Sequence, residues 1–103
     1  MKIYNELESL GLFEWLSKTH NLKDTDIAPE YLDELPLNDI HRTVVNATAF
    51  RWFREKYGVY AHPDKFDVDK WWVEWGDWNS SIYGTYEEAE HEWLLKMIEI
   101  AKN

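Results

Sequence analysis

The chain has no cysteine, which excludes disulfides and thiolate metal sites and fits a reducing cytosol. Glycine and proline are scarce, at four and three residues, and no low-complexity tract, internal repeat or linker-like stretch divides the 103 residues. A single domain over 1–103 is expected, with a modest core of two packed layers and no room for a substrate domain beside a cofactor domain. No apolar run approaches the roughly 18 residues of a membrane span, and no basic segment leads into an apolar stretch with a cleavage site. Neither a membrane contact nor a signal peptide is expected, and the chain reads as soluble and cytoplasmic.

Positive charge is also in short supply. Eleven Lys and Arg stand against 20 Asp and Glu, a formal net charge of -9. Residues 1–36 hold eight acids against three bases, 63–84 five against two and 85–103 five against two; only 37–62, with two against four, is basic. Binding nucleic acid through its phosphates requires a clustered positive surface, and Arg42, Arg51, Arg54 and Lys56 are a thin basis for one on a repelling body. Direct nucleic-acid binding is therefore disfavoured. An acidic surface steers a protein toward basic partners, among them the positive grooves of nucleases and polymerases.

Aromatic residues are abundant. Trp71, Trp72, Trp75 and Trp78 fall within eight residues, interleaved with Glu74, Gly76 and Asp77. In an extended strand Trp71, Val73 and Trp75 would line one face while Trp72, Glu74 and Trp78 line the other. One set belongs to a core. The other, standing among carboxylates, has the composition of a protein-binding surface, where Trp and Tyr supply much of the energy.

Element boundaries follow from periodicity and punctuation. Ile3, Leu7, Leu10, Phe13, Trp15 and Leu16 give a helical stripe over about 3–18, interrupted at Gly11. Residues 19–36, with Asp24, Thr25, Asp26, Pro29 and Pro36, read as a loop holding one helical turn at Glu30–Leu35. A second helix should start at Asn38 or Asp39, run through Val44, Ala47, Phe50, Phe53 and Tyr57, and stop at Gly58. Val59–His62 reads as a short strand and Lys70–Asp77 as a longer one, joined by a polar loop over Pro63–Asp69, with a minor strand at Ser81–Tyr83. Thr85 and Glu88 form a capping box ahead of a last helix from Tyr86, whose Ala89, Trp93, Met97 and Ile100 face inward while Glu92 and Lys96 can pair outside. The fold class is α+β, a small antiparallel hairpin sheet packed by helices, in the order helix, helix, strand, strand, helix.

Two stretches carry a family resemblance. Phe50-Arg51-Trp52-Phe53-Arg54-Glu55-Lys56-Tyr57 and Thr85-Tyr86-Glu87-Glu88-Ala89-Glu90 resemble a group of small uncharacterised proteins from phages and gut bacteria, which pair a WFREK-type helix end with an aromatic hairpin and a TYEEAE-type terminal helix. The resemblance covers about 47–103 and carries fold, not catalytic residues. It implies a phage or prophage accessory protein at work in the cytoplasm of a bacterial host. Small acidic proteins of that setting often act by occupying a host protein, as anti-CRISPR and other anti-defence inhibitors do.

Three sharper motifs are present, and each is incomplete. His62-Pro63-Asp64 spells the tripeptide by which J-domains stimulate a chaperone, but the following residues read as strand where a J-domain needs a second helix. Asp64, Asp67 and Asp69 suggest a calcium loop, yet the sixth and twelfth positions counted from Asp64 hold Asp69 and Trp75 where glycine and glutamate are required. His91 with Glu87 or Glu88 could share a helix face, but no second histidine has matching spacing. No catalytic, cofactor or metal residue is assigned. The expected function is non-catalytic protein binding, an acidic inhibitor whose Asp67, Asp69, Glu74 and Asp77 imitate phosphates while Trp72, Trp78, Tyr60 and Tyr83 anchor it on a basic host nuclease or defence effector. Self-assembly into a homo-oligomer is the alternative, and a J-domain-like cochaperone a weaker one.

Overall fold

The computed structural model describes residues 2–20 and 29–103. Helices α1 (Ile3–Leu10), α2 (Leu12–His20), α3 (Pro29–Glu34) and α4 (Ile40–Tyr57) precede strands β1 (Asp64–Asp67), β2 (Lys70–Trp72), β3 (Glu74–Trp75) and β4 (Trp78–Asn79), and α5 (Tyr86–Lys102) closes the chain. The class is α+β, with small antiparallel pairs packed by helices. The expected loop residues Asp24, Thr25 and Asp26 lie outside the described residues. Among the described residues, no helix is long and apolar enough to cross a membrane.

Punctuation residues set the boundaries. Gly11 takes φ +103°, open to glycine and strained for other residues, and its N–H closes α1 on the Glu8 carbonyl. Pro29 opens α3, where its missing N–H costs nothing. Asp39 caps α4 by accepting the His41 N–H at 2.8 Å, and Gly58 ends it. Thr85 accepts the Glu88 N–H at 3.2 Å; the Glu88 carboxylate returns to the threonine hydroxyl at 2.9 Å. Helix α1 has no side-chain cap at Lys2 and is capped from another element, Asp33 of α3 accepting the Tyr4 N–H at 3.1 Å.

One cluster of buried side chains draws on every helix. Tyr4, Leu7, Leu12, Leu16, Leu32, Phe53, Trp93, Leu94 and Met97 are fully enclosed, with Val73, between β2 and β3, joining them. Helix α1 packs on α2, α3 and α5, while α5 also meets α4 and β2. Lys56 Nζ reaches the exposed C-terminal carbonyl of Leu10 at 3.4 Å, and Lys102 pairs with Glu6, fastening both long helices to α1.

Helix α4 keeps part of the apolar face expected, with Phe53 enclosed and Phe50 and Tyr57 packed against the core, but turns Val44 and Ala47 outward. Val44 is 59% exposed and Ala47 is also exposed; the inward residues are Arg42, Val45, Asn46, Ala49, Trp52 and Phe53. Two of the six are polar, so a search for apolar periodicity alone settles one residue out of register. They are tolerated inside because each finds partners on other elements.

The strands also depart from expectation. Residues 59–62 form no strand; β2 pairs instead with β1, from the stretch read as a polar loop, through a two-residue turn at Val68 and Asp69, where Asp69 takes φ +53°. The expected long strand breaks at Val73. Its N–H and C=O bond the Ser80 hydroxyl and N–H, both at 2.9 Å, and β3 then turns at Gly76, φ +58°, into β4. Of the expected minor strand, only Tyr83 is paired, in a bridge to Trp71 with both bonds at 2.8 Å.

Val45→Ala is expected to cost roughly 2 kcal/mol in urea unfolding, and Val44→Ala to change stability by less than about 0.5 kcal/mol. Equal losses at the two positions would contradict the face assigned to α4.

Candidate functional site

Two clusters of chemistry-bearing side chains stand out, one buried between helices and one exposed on the hairpins. The buried one begins with Tyr4, whose hydroxyl donates to Asn46 Oδ1 at 2.5 Å; Asn46 Nδ2 donates to Glu90 Oε1 at 2.7 Å. Arg42 lies over the Tyr4 ring at 5.1 Å, donates to the Leu35 carbonyl at 2.9 Å and places Nη2 3.3 Å from His91 Nδ1. Burial pushes the Glu90 carboxyl up, against the pull of Asn46, Tyr86 and Arg42. The Tyr86 hydroxyl is pushed up to about 12 by burial and by the Glu90 charge. Burial and then Arg42 pull His91 down, which keeps its imidazole neutral and able to accept from the guanidinium. His91 thus faces Arg42 of α4. These bonds join α1, α4 and α5 to one another and to the α3–α4 connection.

The exposed cluster follows from strand geometry. Side chains on directly opposed residues of an antiparallel pair share a face. Trp72 opposes Asp64 on the outside of β1–β2, where its ring meets Phe66 at 5.4 Å. Trp71 opposes Lys65 on the inside, against Tyr86 at 5.2 Å, with Lys65 Nζ 5.9 Å from its ring. In the second hairpin Trp75 opposes Trp78, so both turn toward Trp93, at 6.4 and 5.6 Å.

The expected binding residues therefore divide. Glu74 and Tyr60 are exposed, Tyr60 at 68%, while Trp72 is half-buried on the outer side against Phe66. Trp78 does not join them. Simple alternation from Trp72 placed it outside, but the turn at Gly76 and Asp77 returns it to the face of Trp75, stacked on Trp93 beneath Lys96. Tyr83, bridged to Trp71, is half-buried on the side of α5, where burial and then Glu92 raise its hydroxyl. Asp67 and Asp69 flank the first turn, Asp67 accepting the Val68 N–H at 2.7 Å, and Asp77 sits in the second; all three are exposed.

Three participants were missed. Asp64 and Phe66, 48% exposed, were read as loop, and Trp75 was assigned wholly to the core. The signal was present in the two-residue spacing of Asp64 and Phe66 and the turn-forming Val68-Asp69. Together Tyr60, His62, Asp64, Glu74 and Trp75 line a concavity of about 260 Å³.

His62-Pro63-Asp64 leads directly into β1, with His62 Nδ1 3.2 Å from the Pro63 carbonyl and 3.5 Å from Asp64. It has no antiparallel second helix behind it, as a J-domain would. Among the described residues, no group of three or more His, Asp or Glu is placed to hold a metal ion. No family model matches the chain, and neither a curated protein nor a solved structure is significantly similar to it.

Because the Glu90 pKa is raised on folding, the stability associated with its proton is complete below the ordinary value of 4.5 and lost as the pH climbs through the raised one. Glu90→Gln keeps an acceptor for Asn46 and removes the buried charge. Its urea midpoint is expected to match wild type near about pH 4 and to exceed it at about pH 8; a lower midpoint at the higher pH would contradict this reading.

Proposed function

We propose that the protein acts without catalysis, as an acidic inhibitor that binds a basic host protein, a nuclease or a defence effector, through the outer face of its hairpins. The observation that carries this reading is the composition of the hairpins: Asp64, Asp67, Asp69, Glu74 and Asp77 are all exposed along the two hairpins, the first of which carries the Phe66–Trp72 pair. Of the two lysines of the same stretch, Lys65 turns to Trp71 and Lys70 pairs with Asp67 at 4.0 Å at the hairpin tip, so among the described residues Asp64, Asp69, Glu74 and Asp77 are left without a lysine or arginine partner. Aromatic anchors ringed by one sign of charge combine affinity with electrostatic steering toward the opposite sign. The carboxylates would stand where a basic partner receives phosphates, and the resemblance to phage proteins supplies the setting of an anti-defence factor.

The test is binding to an identified basic host protein. Charge reversal at Asp67, Asp69, Glu74 and Asp77 is expected to weaken it at least tenfold, and Phe66→Ala with Trp72→Ala to do the same; affinity should fall as salt rises. Undiminished binding by both sets of variants would remove this reading.

One observation favours self-association as a second reading. Ile40, 71% exposed, and Val44, one helical turn on, line up on the outside of α4. Sedimentation at two concentrations distinguishes them: a rise in mass with concentration that is abolished by Ile40→Asp supports assembly, and an unchanging monomer mass excludes it.

A further inference from the structure

The concavity beside the hairpins is built from two extended stretches that alternate in and out. After α4, Val59 is buried, Tyr60 points out, Ala61 is held by its carbonyl and His62 points out again. Beyond β2, Val73 is buried, Glu74 is exposed and Trp75 is half-buried. Tyr60 of the first stretch and Trp75 of the second meet between them. The Tyr60 and Trp75 rings lie 5.4 Å apart at 89°, two walls at a right angle, and Asp64 and Glu74 line the same hollow.

Its chemistry can be read from the protein's other aromatic groups. Arg42 lies over Tyr4 at 5.1 Å, Lys56 over Trp52 and Tyr57 at 5.1 and 5.5 Å, Lys65 over Trp71 at 5.9 Å and Lys96 over Trp78 at 5.3 Å. Among the described residues no Lys or Arg covers Tyr60 or Trp75, although this pair shares its hollow with two carboxylates. Aromatic faces and carboxylates both attract cations, and their combination suits an organic cation with flat or apolar surfaces better than a metal ion. The volume, about 260 Å³, falls below the roughly 300–1,000 Å³ of small-molecule pockets and suits one side chain. Between the two basic side chains, a planar guanidinium can stack on a ring while its fork engages carboxylates; a lysine ammonium offers only a point charge.

We propose that this hollow, walled by Tyr60 and Trp75 and charged by Asp64 and Glu74, receives an arginine side chain of the partner. The proposal rests on the hairpin face being a protein-binding surface. It adds a position on that surface at which a single residue type is selected.

The test is an NMR titration of the full chain with the blocked tripeptide acetyl-Gly-Arg-Gly-amide, beside its lysine and citrulline counterparts. Citrulline keeps the shape of arginine and lacks its charge. The arginine peptide is expected to shift the Trp75 indole N–H and the Glu74 and Gly76 amides, with affinity in the millimolar range on the order of 4 kcal/mol. Lysine should bind more weakly and citrulline not measurably. Asp64→Asn with Glu74→Gln, both exposed and close in shape, should weaken arginine at least tenfold, as should Tyr60→Ala, with the remaining amides unshifted to show that the fold is kept. No shift at these positions, an equal response to citrulline, or an undiminished response in the variants would overturn the proposal; lysine binding as tightly as arginine would overturn the choice of guanidinium. Against an identified partner, a loss of affinity from Phe66→Ala with Trp72→Ala but not from the Asp64/Glu74 pair would leave the binding face standing and remove the arginine site. No loss from either would remove both.

Discussion

The indole of Trp93 is the point on which helices and hairpins are joined. It is fully buried, its Nε1–H donates to the Ala61 carbonyl at 2.8 Å, and its ring receives Trp78 stacked at 26° and Trp75 beside it. One side chain on α5 thereby holds the connection leaving α4 and both strands of the second hairpin. The short strands could not do this alone: isolated two-stranded hairpins are marginal in water, and these have three- and two-residue strands on one side of each pair. Aromatic pairs add roughly 0.5–1.5 kcal/mol each beyond their buried area, so the two pairs made by Trp93 are a substantial fraction of the stability of so small a domain.

The proposed binding surface inherits its geometry from that joint. Fixing Ala61 places Tyr60 and His62 on the outer side, and holding Trp75 inward leaves Glu74 outward beside them. The buried bonds among Tyr4, Asn46, Glu90, Arg42 and His91 lie within one helical turn of Trp93 and lock α5, which carries it, to α1 and α4. A desolvated carboxyl and a desolvated histidine reduce stability, but hydrogen bonds that only one helix register can satisfy specify that register.

Local signals were the legible part of the sequence. Gly11, Pro29, Asp39, Gly58 and Thr85 each act within one helical turn, and each marks a boundary that the structure has. What failed depended on partners distant in sequence. Arg42 and Asn46 look like surface residues until Tyr4, Leu35, Glu90 and His91 are brought to them, so the buried face of α4 was assigned to Val44 and Ala47 instead. Trp78 failed for a topological reason: alternation holds along a strand, and the turn at Gly76 resets it. For the candidate site, Tyr60, Trp72 and Glu74 were legible from composition, whereas the contribution of Trp75 required knowing which two extended stretches lie side by side.

The central claim, that Trp93 holds the second hairpin and the connection after α4 on the helical body, is tested most directly by hydrogen exchange in a Trp93→Phe variant. Phenylalanine keeps an aromatic ring and removes the N–H bonded to Ala61. The account predicts that amides of residues 74–79 exchange markedly faster than in wild type while those of α1 and α4 keep their protection. Unchanged exchange in the second hairpin, or an equal loss of protection throughout the chain, would contradict it.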